Sequence, residues 1–319
     1  MTVENDNIRV LILKKYEERV FNVIKGCFPS DWIVTASPPG DELQEREILS
    51  CDVLIPENSN VTAQMIESAK KLKIIQSGAG YDNIDLVSVR SKGIIAANAP
   101  GVNSKAVAEH VFAFLLTWFK RIAPLDAEMK SGTWSREKKG RSLEDMTIGI
   151  AGYGNIGKRV AQIASAFGMR ILVFSRNPVN SPASIKIERV DKDALMRESD
   201  VITLHLASTA ETKGFIGKKE LSKMKKNALL INTARGNLVD EDALINALEK
   251  KMIGGAALDV FKTEPLPPGS RLRELDNVLL SPHTAGEPDY ISSYKKRFTW
   301  FYENIKKILE GDSDAVILK

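Results

Sequence analysis

An apolar run that breaks at three spaced glycines limits this chain more than any other feature. Thr147-Ile148-Gly149-Ile150-Ala151 leads into Gly152-Tyr153-Gly154-Asn155-Ile156-Gly157. A helical pattern follows from Lys158 to Phe167, and a second apolar run from Arg170 to Phe174. Strand, tight glycine turn, helix and strand in that order form the first half of a dinucleotide-binding unit. Gly152 permits the tight turn, Gly154 lets the backbone approach a pyrophosphate, and Gly157 lets the helix pack close to the strand. The amides around Asn155 and Ile156 then open the helix toward the phosphates. Glycine-rich turns also serve methyltransferases and purely structural packing, so the motif points to a nucleotide without yet specifying redox chemistry.

The end of the second strand is the next informative position. An NAD-binding unit places Asp or Glu there, about 20 residues past the glycines, to accept from the ribose hydroxyls. This chain has no carboxylate there; Ser175, Arg176 and Asn177 stand in its place. A serine hydroxyl can donate to a 2′-phosphate, and a planar guanidinium can pair with its charge. The competing reading of Arg176 is an ordinary solvated loop residue. The substitution favours NADP(H) over NAD(H).

At 319 residues the chain is long for one domain, and two are expected. A hydrophobic fraction of 43% with 27% charged residues fits a soluble globular protein with sizeable cores. The net charge of +4 is spread along the chain, and its densest cluster, Lys138-Lys139-Gly140-Arg141, lacks interleaved aromatics. It reads as a solvated loop, and no nucleic-acid partner is expected. Cys27 and Cys51 are the only cysteines and form neither a metal-ligand spacing nor a disulfide framework. No metal is expected. The N-terminus lacks a basic region followed by an apolar core, and the apolar stretch Val111 to Phe119 is too short to span a bilayer. The expected compartment is the cytoplasm, without membrane association.

Strand-like and helix-like segments alternate along the chain. Arg9 to Leu13, Val53 to Ile55, Lys73 to Gln76 and Ile94 to Ala97 read as strands, with helices at Glu17 to Ile24 and Ala63 to Lys71. A long helix runs from about Ser104 to Arg121, with Asn103 or Ser104 available as cap. It is apolar on nearly all faces, which predicts burial within a domain or between subunits. After the glycine turn, strands are expected at Val201 to Leu206, Ala228 to Ile231, Gly255 to Val260 and Val278 to Leu280. Helices are expected at Leu221 to Lys225, Glu241 to Lys250 and Tyr290 to Glu310. The pattern predicts an α/β fold with two Rossmann-like or flavodoxin-like domains on parallel sheets. A dinucleotide-binding domain, residues 102–287, is inserted into a discontinuous substrate domain, residues 1–101 and 288–319.

Residues able to do chemistry cluster late. Of three histidines, His110 falls within a helical pattern and His205 ends a strand; each alone reads as packing or a supporting hydrogen bond. His283 instead follows the strand Val278 to Leu280, and ligands of doubly wound sheets bind beyond the carboxyl ends of strands. It is placed to exchange a proton near neutral pH. The same argument selects Arg235, Asp259 and Glu264, although a salt bridge or a loop acid would account for each one singly.

These motifs, in this order, resemble the D-isomer-specific 2-hydroxyacid dehydrogenases, the group containing glyoxylate/hydroxypyruvate reductases and phosphoglycerate dehydrogenases. The resemblance runs from Ser77-Gly78-Ala79-Gly80-Tyr81-Asp82 through Asn98 to Asn103, Val107-Ala108-Glu109-His110 and the glycine turn. It continues through Asn232-Thr233-Ala234-Arg235-Gly236, Leu258-Asp259-Val260-Phe261 with Glu264-Pro265, and Ser281-Pro282-His283-Thr284-Ala285-Gly286. It implies that Arg235 binds the substrate carboxylate, that His283 protonates the carbonyl oxygen, and that Glu264 orients and charges the imidazole. It also implies that the amides of Gly78, Ala79 and Gly80 cradle the carboxylate from the other domain. Asp259, with the backbone around Thr233, would hold the nicotinamide carboxamide, and the segment of His205 and Ala207 would line the cofactor.

The implied reaction is hydride transfer between NAD(P)H and a small 2-keto or D-2-hydroxy acid, in a homodimer. Alternatives are a phosphoglycerate dehydrogenase-like enzyme, a formate- or phosphite-oxidising relative, and a dinucleotide-sensing corepressor-like protein without turnover. Ala207 departs from the proline usual after His205, and Glu287-Pro288 makes the stretch after His283 unusual.

Overall fold

The structure is a computed structural model that describes residues 7–137, 140–286 and 291–318. The chain divides into two compact units, residues 1–102 with 289–319, and residues 103–288. Lys138 and Lys139 of the basic cluster, Glu287 and Pro288 after the histidine motif, and Tyr290 lie outside the described residues.

The first unit holds a parallel sheet of β1 (Arg9–Ile12), β2 (Ile33–Ala36), β3 (Val53–Ile55), β4 (Ile74–Gln76) and β5 (Ile95–Ala97). Its order is β2-β1-β3-β4-β5, the flavodoxin-like winding. Helices α1 (Glu18–Lys25), α2 (Glu42–Glu47), α3 (Ala63–Ser68) and α4 (Leu86–Ser91) connect the strands. The short connecting helices start where a side chain takes an orphan amide: Asp41 accepts from Leu43, Thr62 from Met65, and Asp85 from Val87 and Ser88. The terminal helix α11 (Ile291–Glu310) belongs to this unit, and its Phe298, Phe301 and Ile305 are buried against Val10, Ile12, Val53, Ile55 and Ile74.

The second unit opens with α5 (Ser104–Phe119) and α6 (Ile122–Lys130). Asn103 occupies the cap position of α5, but its side chain makes no capping bond. The strands are β6 (Thr147–Ala151), β7 (Arg170–Phe174), β8 (Ile187–Arg189), β9 (Val201–Leu204), β10 (Leu229–Asn232), β11 (Gly255–Leu258) and β12 (Val278–Leu280). The helices among them are α7 (Asn155–Ala166), α8 (Lys192–Glu198), α9 (Lys218–Leu221) and α10 (Glu241–Glu249). All strands pair in parallel in the order β12-β11-β10-β9-β6-β7-β8. This order reverses between β6 and β9, the crevice where such sheets bind ligands.

The all-round apolar character of α5 has its explanation inside the chain. Ala108, Val111, Phe112, Phe114, Leu115 and Phe119 are buried in one hydrophobic cluster with Val160, Ala161 and Ala164 of α7 and with Ile148 and Ile150 of β6. Its sequence is therefore no evidence for a subunit contact. Large apolar side chains stay exposed one element further on, at Ile122, Met129 and Trp134. Among the described residues no helix is long and apolar enough to cross a membrane.

Candidate active site

Two groups of residues lie at the carboxyl edge of the seven-stranded sheet. The first is the glycine turn between β6 and α7. Gly152 has φ +100°, and a Cβ there would strike the carbonyl of His205, so only glycine lets the turn cross the start of the β9 loop. A Cβ at Gly157 would overlap the Gly152 carbonyl oxygen, which fixes how closely α7 approaches β6. Gly154 differs: it caps α7, and nothing lies within 4 Å of a Cβ built on it. Its bare face and the free first-turn amides of α7, beginning at Asn155, Ile156 and Gly157, suit a phosphate.

Past the ends of β9 and β10 lie two buried polar atoms that have no partner among the described residues. They are His205 Nδ1 and Thr233 Oγ1, one residue past the paired ends of β9 and β10. The His205 Nε2 lies 2.9 Å from Thr203 Oγ1. Burial pushes the His205 imidazole down to about 3, so it stays neutral at physiological pH. Unpartnered polar atoms at the carboxyl ends of neighbouring strands are what a bound cofactor's polar edge would satisfy. Ala207 is exposed, and its carbonyl accepts from Thr212 Oγ1 at 2.6 Å.

Ser175, Arg176 and Asn177 follow β7. Arg176 Nη1 pairs with Glu211 at 3.0 Å, with both side chains about three-quarters exposed. A fourth residue here was not legible in the sequence. Arg189, at the end of β8, donates to the Ser175 carbonyl at 3.0 Å and to that of Arg176 at 3.3 Å. It braces the loop and adds a second guanidinium. Its strand is a three-residue edge strand of mostly exposed residues, too short and too polar to show an alternation.

The second group surrounds His283. The residue sits in the left-handed region at φ +55°, with its amide donating to the Asp259 carbonyl at 2.8 Å and the Ser281 carbonyl at 3.1 Å. Its Nδ1 lies 2.6 Å from Glu264 Oε2, while Glu264 Oε1 accepts from the Phe261 amide at 3.0 Å. The hydrogen bond to Glu264 raises the His283 pKa, against a lesser opposing effect of burial and of the nearby Arg235 charge. Burial pushes the Glu264 carboxyl up, but the His283 and Phe261 hydrogen bonds together leave it below its ordinary value. Arg235, half-buried just beyond β10, donates from Nη1 to the Ala234 carbonyl at 2.8 Å.

Asp259, fully buried after β11, accepts from Ser281 Oγ at 2.5 Å and from the amides of Thr284 and Ala285 at 2.9 Å each. A carboxylate offers about four acceptor sites, so one remains for a ligand amide. The carboxylate is thus first of all a strut of the loop carrying His283.

The Gly78–Gly80 segment lies after β4 in the first unit. Gln76 Nε2 donates to the Ser77 carbonyl at 2.9 Å, the Ala99 amide to Gly78 at 2.8 Å, and Asn98 Nδ2 to Ala79 at 3.1 Å. In a trans peptide the following N–H points opposite to the carbonyl. Pinning those three carbonyls therefore fixes in turn the direction of the amides of Gly78, Ala79 and Gly80.

Residues 112–285 match the NAD-binding domain of the D-isomer specific 2-hydroxyacid dehydrogenases. The chain is 40% identical over 288 residues to a glyoxylate reductase of Thermococcus litoralis, covering 86% of each. It is 40% identical over 248 residues to a hydroxypyruvate reductase of Thermotoga maritima, covering 76% of this chain and 80% of that one. Among solved structures, an acyclic imino acid reductase in complex with NADPH and D-Arg superposes with a TM-score of 0.84 at 33% identity, covering 98% of this chain and all of that one.

Proposed function

Since the chain belongs to the D-isomer-specific 2-hydroxyacid dehydrogenase family, we propose that it reduces a small 2-keto acid, of the glyoxylate or hydroxypyruvate type, to the D-2-hydroxy acid. The observation that carries this reading is the 2.6 Å bond between His283 and Glu264, in the unit that also holds the glycine turn. A bound nicotinamide dinucleotide supplies the hydride. Gly152, Gly154, Asn155, Ile156 and Gly157 hold its pyrophosphate, and Thr233, His205, Ala207 and the remaining acceptor of Asp259 border its nicotinamide half.

Arg235 binds the substrate carboxylate through its planar fork, which fixes the adjacent carbonyl. The amides of Gly78, Ala79 and Gly80, in the first unit, are a further set of donors suited to a carboxylate. His283 gives its Nδ1 proton direction to Glu264, which leaves Nε2 to donate a proton to the carbonyl oxygen in reduction. In oxidation neutral Nε2 takes the hydroxyl proton back. Ser175 and Arg176, braced by Arg189, favour the 2′-phosphate of NADPH. The protein acts as a homodimer through the exposed Ile122, Met129 and Trp134.

A screen of 2-keto acids with NADPH and NADH tests the reading. Turnover of glyoxylate or hydroxypyruvate is expected. Tight dinucleotide binding without turnover of any 2-keto acid would leave a dinucleotide sensor as the better account.

A further inference from the structure

His283 holds a left-handed backbone conformation that a side chain with a Cβ disfavours, so its surroundings must impose it. Asp259 does so from both sides. Its carbonyl takes the His283 amide, and its carboxylate takes the amides of the next two residues, Thr284 and Ala285. The carboxylate is itself held by the Ser281 hydroxyl at 2.5 Å, and Ser281 Oγ lies 3.0 Å from His110 Nε2. The direction of these bonds follows from chemistry. An ionised carboxylate only accepts, so the Ser281 hydroxyl donates to Asp259, and its oxygen is left to accept from the His110 Nε2–H. The His110 ring stands edge-on to Phe114 with centroids 4.6 Å apart, on a helix whose own apolar face is buried. It is a rigid anchor, set 171 residues away from the serine it holds.

We propose that His110 is a positioning residue which, through the Ser281 hydroxyl and the Asp259 carboxylate, holds the His283 loop in the conformation that presents the imidazole to Glu264. This rests on the reading of His283 as the acid–base group. It also gives Ser281 a defined part, as the relay between α5 and the loop. The segments joined are those by which the chain enters and leaves the second unit. α5 starts at Ser104, and a Cβ at Gly286 would meet the Asn103 side chain, so the two segments run side by side there too.

Among the described residues, the charged groups that act on His283 are Glu264, Asp259 and Arg235. If the relay is cut, the loop relaxes, the Glu264 bond lengthens, and the imidazole loses the stabilisation of its cation. The chain has three histidines, so the imidazole C2–H resonances of the whole protein can be assigned by substitution and followed against pH without any ligand. In the native protein His283 should titrate above about 6.5. In His110→Phe, which keeps a ring against Phe114, and in Ser281→Ala, its midpoint should fall by about half a unit or more. The double variant should fall no further than either single one, because all three cut one chain. His110→Gln, whose amide can donate to the same oxygen, should restore most of the shift.

In parallel, kcat for the 2-keto acid should drop about tenfold in His110→Phe, with dinucleotide affinity from fluorescence titration within about twofold of native. An unmoved His283 midpoint in both single variants overturns the proposal; should His110→Phe not fold, Ser281→Ala decides it. Absence of turnover in the native protein would instead count against the proposed reaction, and the titration would still decide whether His110 positions the loop.

Discussion

His283 and Glu264 make the most direct predictions at the scale of single residues. Reduction needs the imidazolium, and the Glu264 bond raises the pH at which that cation survives. The reduction rate should therefore hold at low pH and fall as pH rises through the raised pKa, while oxidation shows the opposite limb. Glu264→Gln removes the negative charge and should move the reduction limb to lower pH in a pH–rate profile. His283→Ala should lose roughly 10²–10⁴-fold in kcat with cofactor affinity kept, provided chemistry limits the rate; near-normal turnover would remove it from the role. Arg176 makes a different case. Its ion pair with Glu211 is solvent-exposed, and such pairs contribute about 0–1 kcal/mol, so it is readily exchanged for a phosphate. Arg176→Ala should weaken NADPH relative to NADH by about 1–3 kcal/mol in titrations with each cofactor. An equal loss for both would place the 2′-phosphate contact elsewhere, with Arg189 the next residue to test.

Within the strand–turn–helix element, the glycines separate folding from binding. Gly154→Ala meets open space, so thermal unfolding should stay within about 1–2 °C of native, a sub-kcal/mol change, while dinucleotide affinity falls at least about tenfold. Gly157→Ala must push α7 off the turn and should lower stability by about 1–3 kcal/mol as well as affinity. Paired melts and fluorescence titrations distinguish them; an unchanged affinity in Gly154→Ala would argue against a phosphate at that face. This element was legible in the chain because an unbroken apolar strand, three glycines and a 3.6-residue pattern agree. The edge strands β2 and β8 were not, since at four and three residues, each paired on one side only, they are too short to show a clear alternation. The helices α2, α4, α6 and α8 are six to nine residues long and largely surface-lying, so their periodicity is too brief to read. At the candidate site, His283, Glu264, Asp259 and Arg235 could be singled out by their place after strands. The Ser281 link to His110 could not, because spacing along a chain says nothing of residues 171 apart.

For the molecule as a whole, the exposed Ile122, Met129 and Trp134 lead to a prediction about assembly. Light scattering at micromolar concentration should return twice the chain mass, and Met129→Glu with Trp134→Ala should return one; a native monomer would overturn the homodimer. The division of the chain has another consequence, in the timing of its synthesis. The helix that completes the first unit's core, with Phe298, Phe301 and Ile305, is separated from residue 102 by the entire second unit. At about 5–20 residues per second, the roughly 200 intervening residues take about 10–40 s to emerge from a ribosome. For that interval the sheet face formed by Val10, Ile12, Val53, Ile55 and Ile74 has no α11 to cover it, whereas the second unit can close its own core as soon as it is made. The nascent chain thus carries an apolar sheet face covered only in part, by Ile24 and Phe28, and its yield in cells should depend on holding chaperones acting on the first hundred residues.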